Sequence, residues 1–130
     1  GICLGMQLFF DKSDEFIETA GLSFIPGHVK RLNPSGKDVA ALYPVPHIGL
    51  NDTISFSQSI QSSSQFYFVH SYSACNVPNS CVLSTCTYGE QTIISSVRSN
   101  NLLGFQFHPE LSGNEGVKLL SSSVNFLLNQ

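Results

Sequence analysis

Three side chains in this sequence have the types and the setting for acyl-transfer chemistry: a thiol at Cys3, an imidazole at His108 and a carboxylate at Glu110. Cys3 lies in the run "GICLGMQ", with a glycine two residues before it and another two residues after it. That is the nucleophile-elbow pattern with cysteine in place of serine. A strand reverses sharply into a helix there, and the glycines remove side chains that would collide at the turn. A sulfur so placed faces the helix N-terminus, where free N–H groups and the helix dipole favour thiolate over thiol. The competing reading of the same residues is a buried cysteine in a glycine-rich corner.

His108 and Glu110 stand in "GFQFHPEL", with Pro109 between them. Pro109 fixes its own φ and biases His108 toward an extended backbone, which holds the two side chains in one relative orientation. A carboxylate that accepts from one ring nitrogen selects the tautomer whose other nitrogen can take a thiol proton. Together these groups make a Cys-His-Glu arrangement of nucleophile, base and orienter. A surface turn is the rival for the His-Pro-Glu segment. Zinc ligation by His108, Glu110 and a remote cysteine is another, but a second histidine at ligand spacing is missing from that segment. No metal or cofactor is called for.

The elements between must bring the two ends together. Leu4 to Phe10 reads as a short helix ending in the polar run Asp11–Glu15. Pro26-Gly27 and "NPSG" are turn signals, with a strand expected over His28–Leu32 between them. "VAALYPVPHIGLN" contains Pro44 and Pro46 and so reads as an edge strand or extended segment. The Ser/Gln-rich run Ser55–Gln65 reads as a surface loop. "FYFVHSYSA" is a strand with Phe66, Phe68, His70 and Tyr72 on one face. A hairpin turning near Tyr88-Gly89-Glu90 follows, then a turn at Ser99–Asn101, a strand over "LLGFQFH", and a helix with Val117, Leu120, Val124 and Leu127 at helical spacing. Helix, strands and helix in this order point to a mixed sheet with helices on its faces. In such an α/β fold, a thiol after the first strand and an imidazole after the last can share one sheet edge.

Composition narrows the function. The 130 residues suit one compact domain, and a net charge of −3 with only six Lys and Arg argues against phosphate-backbone binding. No apolar run is long enough to span a bilayer, and no signal-peptide pattern is visible. Cys3, Cys75, Cys81 and Cys86 include no C-x-x-C spacing and read as reduced cytoplasmic thiols. His28 and His47 read as structural or exposed, and His70 as a wall or core histidine.

Taken together, "GICLGMQLFF", "VPHIGLN", "FYFVHSYSA", "TYGE", "SNNLLGFQFHPELSG" and "LLSSSVNFLL" resemble the class I glutamine amidotransferases, and among them the glutaminase subunits of imidazole glycerol phosphate synthase in histidine biosynthesis. The resemblance implies an α/β, three-layer mixed-sheet, flavodoxin-like domain. It implies that Cys3 attacks the carboxamide of glutamine while His108 shuttles the proton and Glu110 orients it. Gln7 matches the position that helps hold glutamine, and Ser71 and Tyr72 match the segment that receives its amino-acid end. The ammonia would pass to a partner (β/α)8-barrel cyclase, with Tyr67 and Pro46–Asn51, including His47 and Asn51, near that partner.

The sequence departs from the family pattern at Leu50, where Trp is usual, and at Leu111, where Lys is usual. Both fall on the expected docking face. A glutaminase serving a sugar-modifying enzyme of surface-polysaccharide synthesis, a γ-glutamyl peptide hydrolase, and a fragment that only binds a partner are the alternatives. Family members also carry strands ahead of the elbow, with a glycine loop that donates an oxyanion N–H. Residues 1–130 therefore read as the C-terminal portion of a single domain, and two residues before Cys3 as too few for the elbow's strand. Loss of an oxyanion donor costs on the order of 10²–10³ in rate, so the piece alone is expected to be inactive.

Overall fold

A computed structural model describes residues 1–34, 42–56 and 61–129. After the helix α1 (Leu4–Gln7) come β1 (Lys12–Ser13), β2 (Thr19–Ala20), β3 (His28–Arg31), β4 (His47–Phe56), β5 (Gln61–His70) and β6 (Tyr72–Cys75). The hairpin β7 (Val82–Tyr88) and β8 (Gln91–Ser99), the strand β9 (Leu102–Phe105) and the helix α2 (Gly113–Leu128) complete the order. Two sheets form. One is antiparallel in the order β5-β4-β7-β8-β9, and the other is mixed, in the order β2-β1-β3-β6. This is the mixed α/β organisation expected from the sequence, divided over two sheets.

Aromatic and β-branched alternation builds the first sheet. Phe66, Phe68 and His70 of β5 are buried, while Tyr67 and Val69 face outward. The Phe66 ring stacks on Phe107 with centroids 4.1 Å apart. These rings, with Leu32, Cys86, Ile93 and Phe105, form one core cluster. A second cluster, of Met6, Phe10, Ile25, Val29, Ala74 and Val97, joins α1 to the smaller sheet and to β8. The two sheets meet at Ser71, the single residue between β5 and β6, whose carbonyl accepts from the Leu32 N–H at 2.8 Å.

The turns at Gly89-Glu90 and at Asn100-Asn101 lie where the sequence puts them, with Asn100 at φ 49° in the left-handed region that asparagine tolerates. Several expectations are corrected. The proline-containing stretch leads into β4, which is an interior strand, because both prolines precede His47 and leave the ladder's N–H groups intact. The ends of the Ser/Gln-rich run belong to β4 and β5, which pair in register from Ser55 opposite Ser62 onward, since serine side chains do not prevent backbone pairing with a strong partner. The centre of that run, the end of the "NPSG" turn and the front of the proline stretch lie outside the described residues. Tyr72 does not continue the face of β5, because the chain changes sheets at Ser71.

The α2 helix has the predicted period with a different face inward. Gly116 is buried and Leu119, Leu120, Ser123 and Phe126 are half-buried, so Leu120 alone of the four expected residues turns inward, whereas Val117, Val124 and Leu127 are exposed. The guanidinium of Arg98 sits over the Phe126 ring, 4.9 Å from its centroid. The inward stripe is thus rotated by about one residue, roughly 100°, from the expected one.

Candidate active site

Gly1 to Cys3 run beside β9. The Gly1 nitrogen donates to the Leu103 carbonyl at 2.7 Å, Phe105 N–H donates to the Gly1 carbonyl at 2.9 Å, and Cys3 N–H donates to the Phe105 carbonyl at 2.7 Å. Ile2 and Phe105 form a parallel bridge. The two residues before Cys3 thus reach β9 through one isolated bridge and form no strand of their own, in line with the expectation that two are too few for one. Cys3 itself has φ 50° and ψ −108° and caps α1. A non-glycine residue at positive φ carries backbone strain, which Cys3 shares with Phe16, Ser23, Asn76 and Asn100.

Two glycines allow the approach. A Cβ on Gly1 would lie 2.6 Å from the Gly5 backbone, and one on Gly104 would lie 2.8 Å from Met6 Cγ. Gly5 meets nothing within 4 Å, so the collision expected there is absent among the described residues. The Cys3 sulfur accepts from Gln106 Nε2 at 3.7 Å and lies 3.9 Å from the Val69 carbonyl. Burial pushes the thiol up; the Leu4 N–H pulls it down, the carboxylates of Glu110 and Glu15 push it up, and Gln106 pulls it down. Desolvation by the fold outweighs the four-residue helix, against the expectation of a favoured thiolate. The resting group is a thiol that needs a base.

His108 follows β9 and docks on β5. Its N–H donates to the Tyr67 carbonyl at 2.8 Å. Its own carbonyl accepts from Leu111 N–H at 3.0 Å and from Ser112 Oγ at 2.6 Å, and that same Oγ accepts from Tyr67 N–H at 2.9 Å. The one-turn 3-10 helix Pro109–Leu111 carries Glu110 back, and its Oε1 lies 2.6 Å from His108 Nδ1. With Nδ1–H donating to the carboxylate, Nε2 presents a lone pair.

A cleft of about 360 Å³ opens beside Cys3, lined also by Gln7, His70, Ser71 and Tyr72, with Leu4, Glu15, Pro46 and Val69 completing its wall. Gln7 is buried and donates through Nε2 to the Tyr72 carbonyl at 3.0 Å and to Gln106 Oε1 at 3.1 Å. Thus Cys3, Gln7, Ser71 and Tyr72 share one cavity. His108 and Glu110 stand two residues along β5 from the Val69 contact, at Tyr67.

A family model described as "Glutamine amidotransferase class-I" matches residues 1–125. The chain belongs to this family. It is also similar to curated proteins named "Imidazole glycerol phosphate synthase subunit HisH": 48% identical over 122 residues to that of Lacticaseibacillus casei strain BL23, covering 90% of this chain and 55% of the relative. The corresponding protein of Staphylococcus aureus strain Mu50 is 41% identical over 124 residues, covering 95% of this chain and 58% of the relative. The chain thus spans little more than half the length of the curated relatives it matches.

In this chain, the segment His47–Asn51 divides between two faces. Ile48 and Leu50 are exposed, with Leu50 opposite Tyr67 and Ile48 opposite Val69, whereas His47 and Asn51 turn inward. His47 is 2% exposed, stacked against Tyr88 at 4.0 Å and Phe68 at 4.7 Å. Leu111 is exposed on the turn that packs against β5. All four cysteines are free thiols. Among the described residues no helix is long and apolar enough to cross a membrane. On the smaller sheet His28 pairs with Asp14 at 2.6 Å.

The sequence reading passed over Gln106 and Ser112. Gln106 reads as one more residue of an apolar strand, yet it is fully buried, and an uncharged amide inside a phenylalanine run signals a committed partner. Ser112 carries no signal short of the three-dimensional clamp on His108.

Proposed function

We propose that the chain carries the glutaminase chemistry of an imidazole glycerol phosphate synthase subunit. Glutamine enters the cleft with its carboxamide at Cys3 and its amino-acid end toward Gln7, Ser71 and Tyr72. His108 Nε2 takes the thiol proton as sulfur attacks the carboxamide carbon. The tetrahedral adduct collapses to a γ-glutamyl thioester, and His108 delivers the proton to the departing ammonia. Water then attacks the thioester with His108 as base, releasing glutamate and the thiol. Glu110 keeps Nδ1–H in place and stabilises the imidazolium that forms.

One observation carries the reading. The same strand, β5, offers the Val69 carbonyl beside the Cys3 sulfur and the Tyr67 carbonyl to the His108 N–H. The two groups from opposite ends of the chain therefore share anchors on adjacent outward positions of one strand. The exposed apolar positions Ile48, Leu50 and Leu111 next to them suit a protein partner, which we assign as a (β/α)8-barrel cyclase receiving the ammonia past Tyr67, with His47 and Asn51 behind it.

The test is glutamate release from L-glutamine by the full-length subunit that contains this sequence, measured with and without the cyclase subunit, in the parent and in a Cys3→Ala form. A fall on the order of 10³ or more in kcat is expected, in keeping with loss of a covalent nucleophile. Comparable turnover by both forms would overturn the assignment.

A further inference from the structure

Behind the cleft lies a hydrogen-bonded line whose direction is set at both ends. At one end Asn51 Nδ2 donates to the Thr87 carbonyl at 2.9 Å, and a carbonyl can only accept, so the atom there is the amide nitrogen. The same nitrogen reaches His47 Nε2 at 3.3 Å. At the other end His70 Nδ1 meets the Tyr72 carbonyl at 2.8 Å, which places a proton on Nδ1. Between them, His47 Nδ1 lies 3.0 Å from His70 Nε2.

Only one arrangement of neutral rings satisfies all four contacts. His70 has Nδ1–H, so its Nε2 accepts. His47 must then donate from Nδ1, so its own Nε2 accepts from Asn51. Both rings adopt the Nδ1–H tautomer. The line continues beyond the Tyr72 carbonyl, which also accepts from Gln7. Gln7 donates in turn to Gln106 Oε1, and Gln106 Nε2 donates to the Cys3 sulfur. It crosses β7, β4, β5, β6 and α1 before ending at the thiol. His47 and His70 are both buried, and the stacking of Tyr88 and Phe68 on His47 keeps that ring from turning. The charged groups that reach the line are His108, toward His70, and Glu110 and Glu15, toward Cys3.

We propose that Asn51, His47 and His70 are positioning residues: a one-way relay of neutral Nδ1–H imidazoles that holds the Tyr72 carbonyl and, through Gln7 and Gln106, sets the environment of the Cys3 thiol. The proposal takes Cys3 as the nucleophile from the preceding reading, but its test uses no glutamine. A protein that releases no glutamate would overturn the glutaminase assignment and leave this test standing.

The first measurement is long-range ¹H–¹⁵N correlation of the imidazole nitrogens in the 130-residue chain near neutral pH. Both His47 and His70 are expected with protonated Nδ1 and bare Nε2, and a protonated Nε2 on either ring overturns the relay. The second compares two substitutions of similar volume, His47→Asn and His47→Leu. Both lose the ring stacking, but only asparagine keeps a donor where Nδ1 stood. Alkylation of Cys3 by iodoacetamide, followed against pH by mass mapping of its peptide, is expected to match the parent profile in His47→Asn. In His47→Leu it should move, with a rate lower by about three- to tenfold. Identical profiles for the two variants would show that packing, not donor polarity, reaches the thiol, and would overturn the relay. Should neither variant fold, the tautomers of the parent chain decide the matter alone.

Discussion

At Cys3 the fold holds a thiol at positive φ and raises it toward the neutral form, so reactivity depends on how His108 is held. Ser112 is the residue that clamps it, donating to the His108 carbonyl while accepting from Tyr67 N–H. Ser112→Ala removes both contacts and leaves two half-buried backbone groups without that partner. Glutamine turnover is expected to fall on the order of tenfold to a hundredfold in kcat with KM little changed, since the imidazole shifts while the cleft stays intact. Iodoacetamide labelling of Cys3 is expected to slow alongside, because the thiol then loses the base that would deprotonate it. At this scale the sequence offers Cys3, His108 and Glu110 as candidates, because a thiol, an imidazole and a carboxylate are read from residue type and local spacing. Gln106 and Ser112 were not, because their roles exist only once β9, β5 and α1 are packed together.

At the scale of elements, hydrophobic alternation identified β5, and turn residues placed the β7–β8 and β8–β9 connections. The reading went wrong where a local signal met a tertiary one. Prolines 44 and 46 suggested an edge strand, yet β4 begins after them and lies between β5 and β7. The apolar spacing in α2 gave the period of the helix but not its inward face, because Leu119 and Phe126 outcompete Val117 and Val124 for contact with the sheet and Arg98. Gly104 shows the opposite case, a residue whose lack of a side chain positions an element. An added Cβ would meet Met6 Cγ at 2.8 Å and Val97 Cγ2 at 3.0 Å. Gly104→Ala is expected to destabilise the protein by about 1–3 kcal/mol through overpacking under α1. Thermal or urea unfolding checks this, and an unchanged midpoint would mean that α1 yields without cost.

For the molecule as a whole, the buried histidines make stability depend on pH. Burial, followed by the nearby charge of His70, holds His47 down to about 4, and burial lowers His70 as well. In the unfolded chain both rings titrate near ~6.5. Between these values the unfolded state binds more protons than the folded one, so stability rises with pH across the window. Their contribution is complete above about 6.5 and is lost as the pH falls toward 4. Melting temperature is expected to be level between pH ~7 and ~8 and to drop steadily below pH ~6.5, with His47→Leu showing a shallower drop. An equally steep slope in that variant would assign the acid sensitivity to other groups.

The strand that carries both anchors for the sulfur and the ring also has consequences for how the chain tolerates change. Tyr67 and Val69 are one pleat repeat apart, so the distance between their carbonyls is the pitch of an extended chain, about 6.6–6.8 Å, and serves as a molecular ruler. A slip of β5 by one position would expose its phenylalanines and discard that ruler in the same stroke. Correct folding of this sheet and, under the proposed function, the spacing of its two reacting groups therefore depend on a single register.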